Sequence, residues 1–255
     1  MPQFRSAPTV CVLAAALLAA IASTAWSMGD DPAKVPPAAG AGAGATGSGA
    51  ARPGTTGPGA TAGPENPPDL QAKLLYNDGI DELRRADNSD VSAAALADPA
   101  QKAHELGEAR TLYSTALGKF QRAVRLDSRM YQAWNYVGYT QRKLGDYDAA
   151  LEAYEQALAL RPGYPEALEY RAEAYLAVKR VADAQQSYLD LFAANRAIAG
   201  KLLDAMKSWI AAQRAVAPAS DLTAVDNLDQ WVQERARIAA QTASLTRAGT
   251  AASWH

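Results

Sequence analysis

The sequence predicts an all-α protein: a short solenoid of helical hairpins, closed at its C-terminal end by capping helices. Three observations predict this class. Hydrophobic residues make up 49% of the 255 residues, yet only three are Phe and five Trp. Long mixed runs of Ala, Leu, Glu, Gln and Arg favour closely packed helices over the large aromatic and β-branched core of a β-sandwich. Second, residue types recur at a shift of 34, as Ala116, Ala150 and Ala184, as Phe120, Tyr154 and Tyr188, and as Ala123, Ala157 and Leu191. Third, from Asp69 onward apolar side chains fall at helical spacing. A single hairpin cannot bury its own apolar face, so a repeat of this length must stack on neighbours.

The first 27 residues read as an export signal. Arg5 precedes an apolar run at residues 10–22, which is followed by the small-residue site Ala25-Trp26-Ser27. At about 13 residues the run is shorter than the roughly 20 needed to span a bilayer, so cleavage after Ser27 is expected and a retained anchor is the alternative. Cys11, the sole cysteine, lies inside this run, so a processed chain would have no disulfide and no thiolate metal site. Cleavage removes one charge, Arg5, and takes the formal net charge from -2 to -3. Residues 28–68 are dominated by Pro, Gly, Ala, Ser and Thr. They read as a disordered linker that cannot bury enough apolar surface to offset ordering, with a root-mean-square span of about 35 Å.

The repeat region is expected at residues 69–198. Its first helix carries Leu70, Leu74, Leu75 and Leu83 on one stripe and is expected to break at Asn88, Ser89 and Asp90. The next begins with a capping Asp98, Pro99 at the first position and Gln101 three residues after the cap, and runs to about Leu126. The strongest hairpin follows over residues 131–164. Gly138 weakens a helix interior by about 1 kcal/mol relative to Ala, which makes sense where a second helix must come close. Gly138 and Ala150 are then the crossing, with Trp134, Tyr147, Leu151, Tyr154 and Leu158 filling its sides. Gly145-Asp146 is expected to turn the chain and cap the second helix. Pro162-Gly163 ends that helix.

Residues 165–198 form a weaker copy, keeping Ala172, Tyr175, Ala184 and Tyr188 but with Leu168 and Arg196 in place of the Trp and Pro. Upstream, Leu75 and Gly79 take the places of Trp134 and Gly138, but they lie 25 residues too far from Ala116, Phe120 and Ala123. The excess, residues 87–112, is expected to add a loop and lengthen the second helix at its start. Capping helices are expected over 199–243, one presenting Leu202, Leu203, Met206, Trp209 and Ile210, the other opening on Ser220 or Asp221 and presenting Leu222, Val225, Leu228 and Val232. A disordered tail is expected over 244–255.

Residues 131–164 resemble the tetratricopeptide repeat (TPR) family, with Trp134, Gly138, Gly145, Tyr147, Ala150, Tyr154, Ala157 and Pro162 at its motif positions. With the export signal and linker, the chain also resembles small exported bacterial TPR proteins, though it lacks the cysteines that some carry after the last repeat. The resemblance implies that first helices line a concave groove facing a bound peptide. Carried onto this chain, the groove positions are Gln132, Asn135, Tyr139, Arg142 and Lys143, then Glu166, Glu169, Glu173 and Leu176. The lysine and asparagine set by which some members hold a terminal carboxylate is not reproduced. The implied ligand is a protein or peptide segment of mixed charge.

The remaining chemistry is sparse. A net charge of -2 and a pI near 5.8 give no basic field for nucleic acid. His104 is the one histidine in the region expected to fold, with no nucleophile turn and no ligand set of useful spacing, so no catalytic residue, cofactor or metal is assigned. Glu166, Glu169 and Glu173 share one helix face, and a carboxylate-based hydrolase would need one of them at a raised pKa. The expectation is a noncatalytic interaction scaffold or adaptor of the cell envelope, periplasmic or secreted, with no stable membrane insertion after cleavage. Two alternatives stay open: a homodimer formed by faces around Trp209 and Trp231, and a hydrolase using Glu169 or Glu173.

Overall fold

A computed structural model of the protein describes residues 67–216 and 222–251, with side chains as far as Ser244. The expected export signal, nearly all of the linker and the Ser220 or Asp221 cap lie outside the described residues. Among the described residues eight helices follow one another: α1 Pro68–Ala95, α2 Pro99–Leu126, α3 Tyr131–Leu144, α4 Tyr147–Leu160, α5 Pro165–Ala177, α6 Val181–Ala194, α7 Arg196–Val216 and α8 Leu222–Ala251. Each helix packs on the next, and α3, α5 and α7 also touch in series, as in a solenoid of stacked hairpins.

The α3–α4 hairpin is built as its sequence requires. Gly145 ends α3 in the left-handed region at φ 89°, and the Asp146 N–H reaches the Gln141 carbonyl at 2.9 Å, closing a Schellman turn. Asp146 precedes α4 without a side-chain cap; its carbonyl starts the helix by accepting from Ala150, which corrects the expected capping role. A Cβ on Gly138 would lie 2.7 Å from the Tyr154 ring, so only glycine lets that ring lie against the α3 backbone. Ala150, Tyr154 and Ala157 are fully buried. Trp134 and Tyr147 are half-buried at the sides, and Pro162 is exposed beyond the end of α4. In the next hairpin Ala172, Tyr175, Ala184 and Tyr188 are buried, and Lys179 makes the Gly145 turn at φ 61°, a conformation unfavourable for a residue with a Cβ.

The α1–α2 hairpin corrects the expected insertion. No break occurs at Asn88, Ser89 or Asp90; α1 runs on to Ala95, and only residues 96–98 separate it from α2. The excess residues therefore lengthen both helices, to 28 residues each, about 42 Å at 1.5 Å per residue. The reason lies in the seam. Ala72, Tyr76, Gly79, Leu83, Ala86 and Ala93 are buried in α1, and Ala109, Tyr113, Ala116, Phe120 and Ala123 in α2, at alternating intervals of three and four. That is the 3.5-residue period of two helices wound together. The α2 start is as expected, with the Asp98 carboxylate accepting from the Ala100 and Gln101 N–H groups at 2.8 and 3.0 Å. Gly79 meets the Phe120 ring as Gly138 meets Tyr154, at 2.7 Å for an added Cβ.

Of the residues expected on the C-terminal helices, Leu202, Leu203, Met206 and Ile210 in α7 and Val225, Leu228 and Val232 in α8 are buried, while Trp209 and Leu222 are half-buried. A second correction concerns the tail, because α8 continues to Ala251, well past the expected end at 243. Among the described residues no helix is long and apolar enough to cross a membrane.

Candidate functional site

The site is the face shared by α3 and α5. Arg142 pairs with Glu173 at 3.0 Å, and one turn earlier the Tyr139 and Tyr170 rings meet edge-on at 5.1 Å. The two helices thus run in parallel with matched turns. A further turn back, Asn135 falls level with Glu166. The Arg142 guanidinium also lies 5.1 and 5.8 Å from the Tyr139 and Tyr170 ring centres, within cation–π range. Burial works against its charge, but Glu173 and the neighbouring Tyr154 and Tyr139 hydroxyls outweigh that and raise its pKa. Arg142 is therefore a fixed cation inside the protein.

At the C-terminal end of α3 the face is taken up by the added turns of α1. The Lys143 ammonium pairs with Asp90 at 2.5 Å and lies 5.1 Å from the centre of the Tyr113 ring. The Tyr139 hydroxyl donates to Asp87 at 2.9 Å, and the Tyr113 hydroxyl lies 2.6 Å from Asp87 and 2.8 Å from Asp90. Burial pushes the Asp87 carboxyl up, against the lowering pull of Lys143 and the two hydroxyls. Burial, then the charges of Asp87 and Asp90, raise Tyr113 as well. Five side chains from three helices, Asp87, Asp90, Tyr113, Tyr139 and Lys143, thus form one internal network.

The groove positions fall into two sets. Tyr139, Arg142 and Lys143 are buried side chains engaged with α1, α2 or α5, and Leu176 is buried in the core. Glu169 is 3% exposed, and the Glu173 side chain is 8% exposed and tied to Arg142. Gln132 and Glu166 are half-buried. Asn135 is 1% exposed, and its Oδ1 has no hydrogen-bond partner among the described residues, nor has Oε2 of Glu166. Local sequence does not point to Asp87, Asp90 or Tyr113, because Asn88, Ser89 and Asp90 resemble a break in the helix. The seam spacing of Ala72, Tyr76, Gly79, Leu83, Ala86 and Ala93 was the signal that places them on a helix.

Elsewhere, the tryptophans of the expected dimer faces pack on their own chain. Trp231 meets Tyr188 edge-on at 5.3 Å, and Trp209 lies partly buried against the core. His104, Glu105 and Glu108 bring one ligand atom each within 4.8 Å of one another, a grouping the sequence reading did not make; His104 and Glu108 stand exposed on α2. Glu173, bound to a guanidinium, is placed for charge balance more than for proton transfer.

Comparison with known proteins agrees with the geometry. Residues 131–164, the α3–α4 hairpin with its bounding turns, match the family model of the tetratricopeptide repeat. No curated protein matches the chain significantly. A repeat of this kind marks a protein–protein interaction module, and proteins built from it are generally noncatalytic scaffolds.

Proposed function

Taking the tetratricopeptide repeat at residues 131–164 as the premise, we propose that the chain is a noncatalytic adaptor of the cell envelope that holds a segment of a partner protein on the α3–α5 face. The observation that carries this reading is the polar end of that face. Gln132, Asn135 and Glu166 lie on first helices of stacked hairpins, and two of them hold acceptor atoms that nothing in the described residues satisfies. An unsatisfied buried polar atom costs roughly 1–3 kcal/mol, which a ligand donating a hydrogen bond would relieve. An extended peptide supplies such donors from its backbone.

The envelope location rests on the apolar run at residues 10–22 and the small-residue site before Met28. N-terminal sequencing of the mature protein after cell fractionation tests it: a chain beginning at Met28 supports export, and one retaining Arg5 in the cytoplasmic soluble fraction opposes it. Crosslinking with mass spectrometry in the native cells tests the adaptor role. Links from α3 and α5 to one partner protein, lost in the Gln132→Ala and Asn135→Ala double variant, support the reading; links that persist in that variant count against the face.

A further inference from the structure

We infer that one end of the hairpin stack, where α1 begins and α2 and α4 finish, is a surface that rests on an anionic lipid bilayer. It is separate from the α3–α5 face and does not depend on it.

Packing brings this end together. Gly79 of α1 lies against Phe120 of α2, and Glu82 pairs with Lys119 at 3.1 Å, so the first turns of α1 come level with the last turn of α2. Residues 127–130 lead directly into α3, and Arg161, just past α4, donates to the Tyr131 hydroxyl at the start of α3. Leu70 and Leu74 of α1, Leu126 of α2 and Leu160 of α4 are therefore gathered at one end, each 39–47% exposed. Leu126 and Leu160 are the last residues of their helices and hold the same place in successive repeats. The fold leaves this apolar surface in water, and a partner with an apolar layer would remove it.

The charge around these leucines is basic. Arg122, Arg125 and Leu126 stand at i, i+3 and i+4 on one exposed face of α2, and Lys73, Arg129 and Arg161 lie at the same end. Asp69, Asp127 and Glu166 oppose them, and Asp127 is taken by Arg129 at 3.3 Å. Arg122 and Arg125 form no ion pair among the described residues. The helix dipole favours a cation in a last turn, which accounts for Arg125. It accounts neither for Arg122, one turn earlier, nor for leucines set among arginines. Acidic residues gather at the opposite ends of the same helices, with Asp98, Glu105 and Glu108 at the start of α2 and Asp146 and Asp148 at the start of α4.

An anionic bilayer meets both demands. Headgroup phosphates accept from the guanidinium groups, and the leucines enter the boundary beneath them. A nucleic acid or an acidic peptide would take the arginines and leave the leucines in water. The overall charge of -2 does not oppose this contact, because salt screens charges beyond about 8 Å and the bilayer meets only the near end. The contact is peripheral, since no described helix is long and apolar enough to cross a membrane.

The test is co-sedimentation of the full chain with vesicles of phosphatidylcholine alone and of phosphatidylcholine mixed with phosphatidylglycerol, beside variants whose melting temperatures match the parent's. The apolar run at residues 10–22 carries no charge, so it gives no preference between the two vesicles and the preference is the readout. The parent chain should prefer the anionic vesicles. Arg122→Gln with Arg125→Gln should cut the anionic binding about tenfold, and Leu126→Ser with Leu160→Ser should cut it several-fold. Arg110→Gln, about 18 Å back along α2, should leave it unchanged. Equal binding to both vesicles, or a preference that Arg110→Gln reduces as much as the arginine pair does, would overturn the surface. So would a preference that falls with the arginine pair and ignores the leucine pair, because that describes a purely electrostatic site of the kind an acidic protein or a nucleic acid occupies.

Discussion

The α1–α2 and α3–α4 hairpins solve the same crossing in the same way, with an aromatic ring laid on a glycine, Phe120 on Gly79 and Tyr154 on Gly138. They differ in length. The α3 and α4 helices stop at 14 residues each, where α1 and α2 continue to 28. The crossing sets how two helices meet, and the extra turns set what happens to the next helix along. Asp87 and Asp90, which a hairpin of ordinary length would lack, convert Tyr139 and Lys143 from groove residues into interior ones. A binding face can thus be partly closed by its own neighbour without disturbing the repeat.

The largest expected effects test the shared crossing. Phe120→Ala and Tyr154→Ala should each lose about 3–5 kcal/mol in urea unfolding, since both rings are fully buried. A Phe120 effect below about 1 kcal/mol would mean that the two crossings are not equivalent. Next comes the closure. Lys143→Met should cost about 2 kcal/mol, because the half-buried Asp87 and Asp90 would be left without their cation. Arg84→Ala, on an exposed pair with Asp81, should cost less than about 1 kcal/mol. Equal effects from the two would show that the Lys143 network is no more internal than the surface.

A smaller effect concerns the turn that the two C-terminal hairpins share. Lys179→Gly should gain about 1 kcal/mol by relieving the left-handed conformation that Gly145 adopts freely, measured as a higher urea midpoint. The subtlest prediction is a pH dependence. Folding raises the Asp87 pKa above 3.8, so between that value and the raised one the folded state binds more protons than the unfolded state. Its contribution to stability therefore falls as pH rises through that window. Asp87→Asn can still accept from the tyrosine hydroxyls and does not titrate. Its stability relative to the parent chain should rise from acid toward neutral pH, and a fall would contradict the assignment.

Much of the fold was legible because the α3–α4 hairpin wears its packing in its sequence. Gly138, Ala150, Tyr154 and Ala157 form contacts that only small and aromatic residues in that order can make. The Asp98-Pro99 start of α2 was legible for the same reason, since capping is a local event. The continuation of α1 was not, because Asn88, Ser89 and Asp90 resemble a break when α1 is read alone. They are helical because α2 lies alongside, with Tyr113 giving Asp90 a partner. The groove was legible as a list of positions and not as a surface. Burial of Tyr139 and Lys143 depends on residues about 50 positions away, which no local period contains.

The claim at the centre of this account is that the end of the face marked by Gln132, Asn135 and Glu166 is the part that meets a partner. Site-specific photo-crosslinking tests it most directly, with p-benzoylphenylalanine replacing Gln132 in one full-length chain and Arg84, on the outer side of α1, in another. The account predicts a partner adduct from position 132 and none from position 84. An adduct from position 84 with none from 132, or no adduct from either, would contradict it.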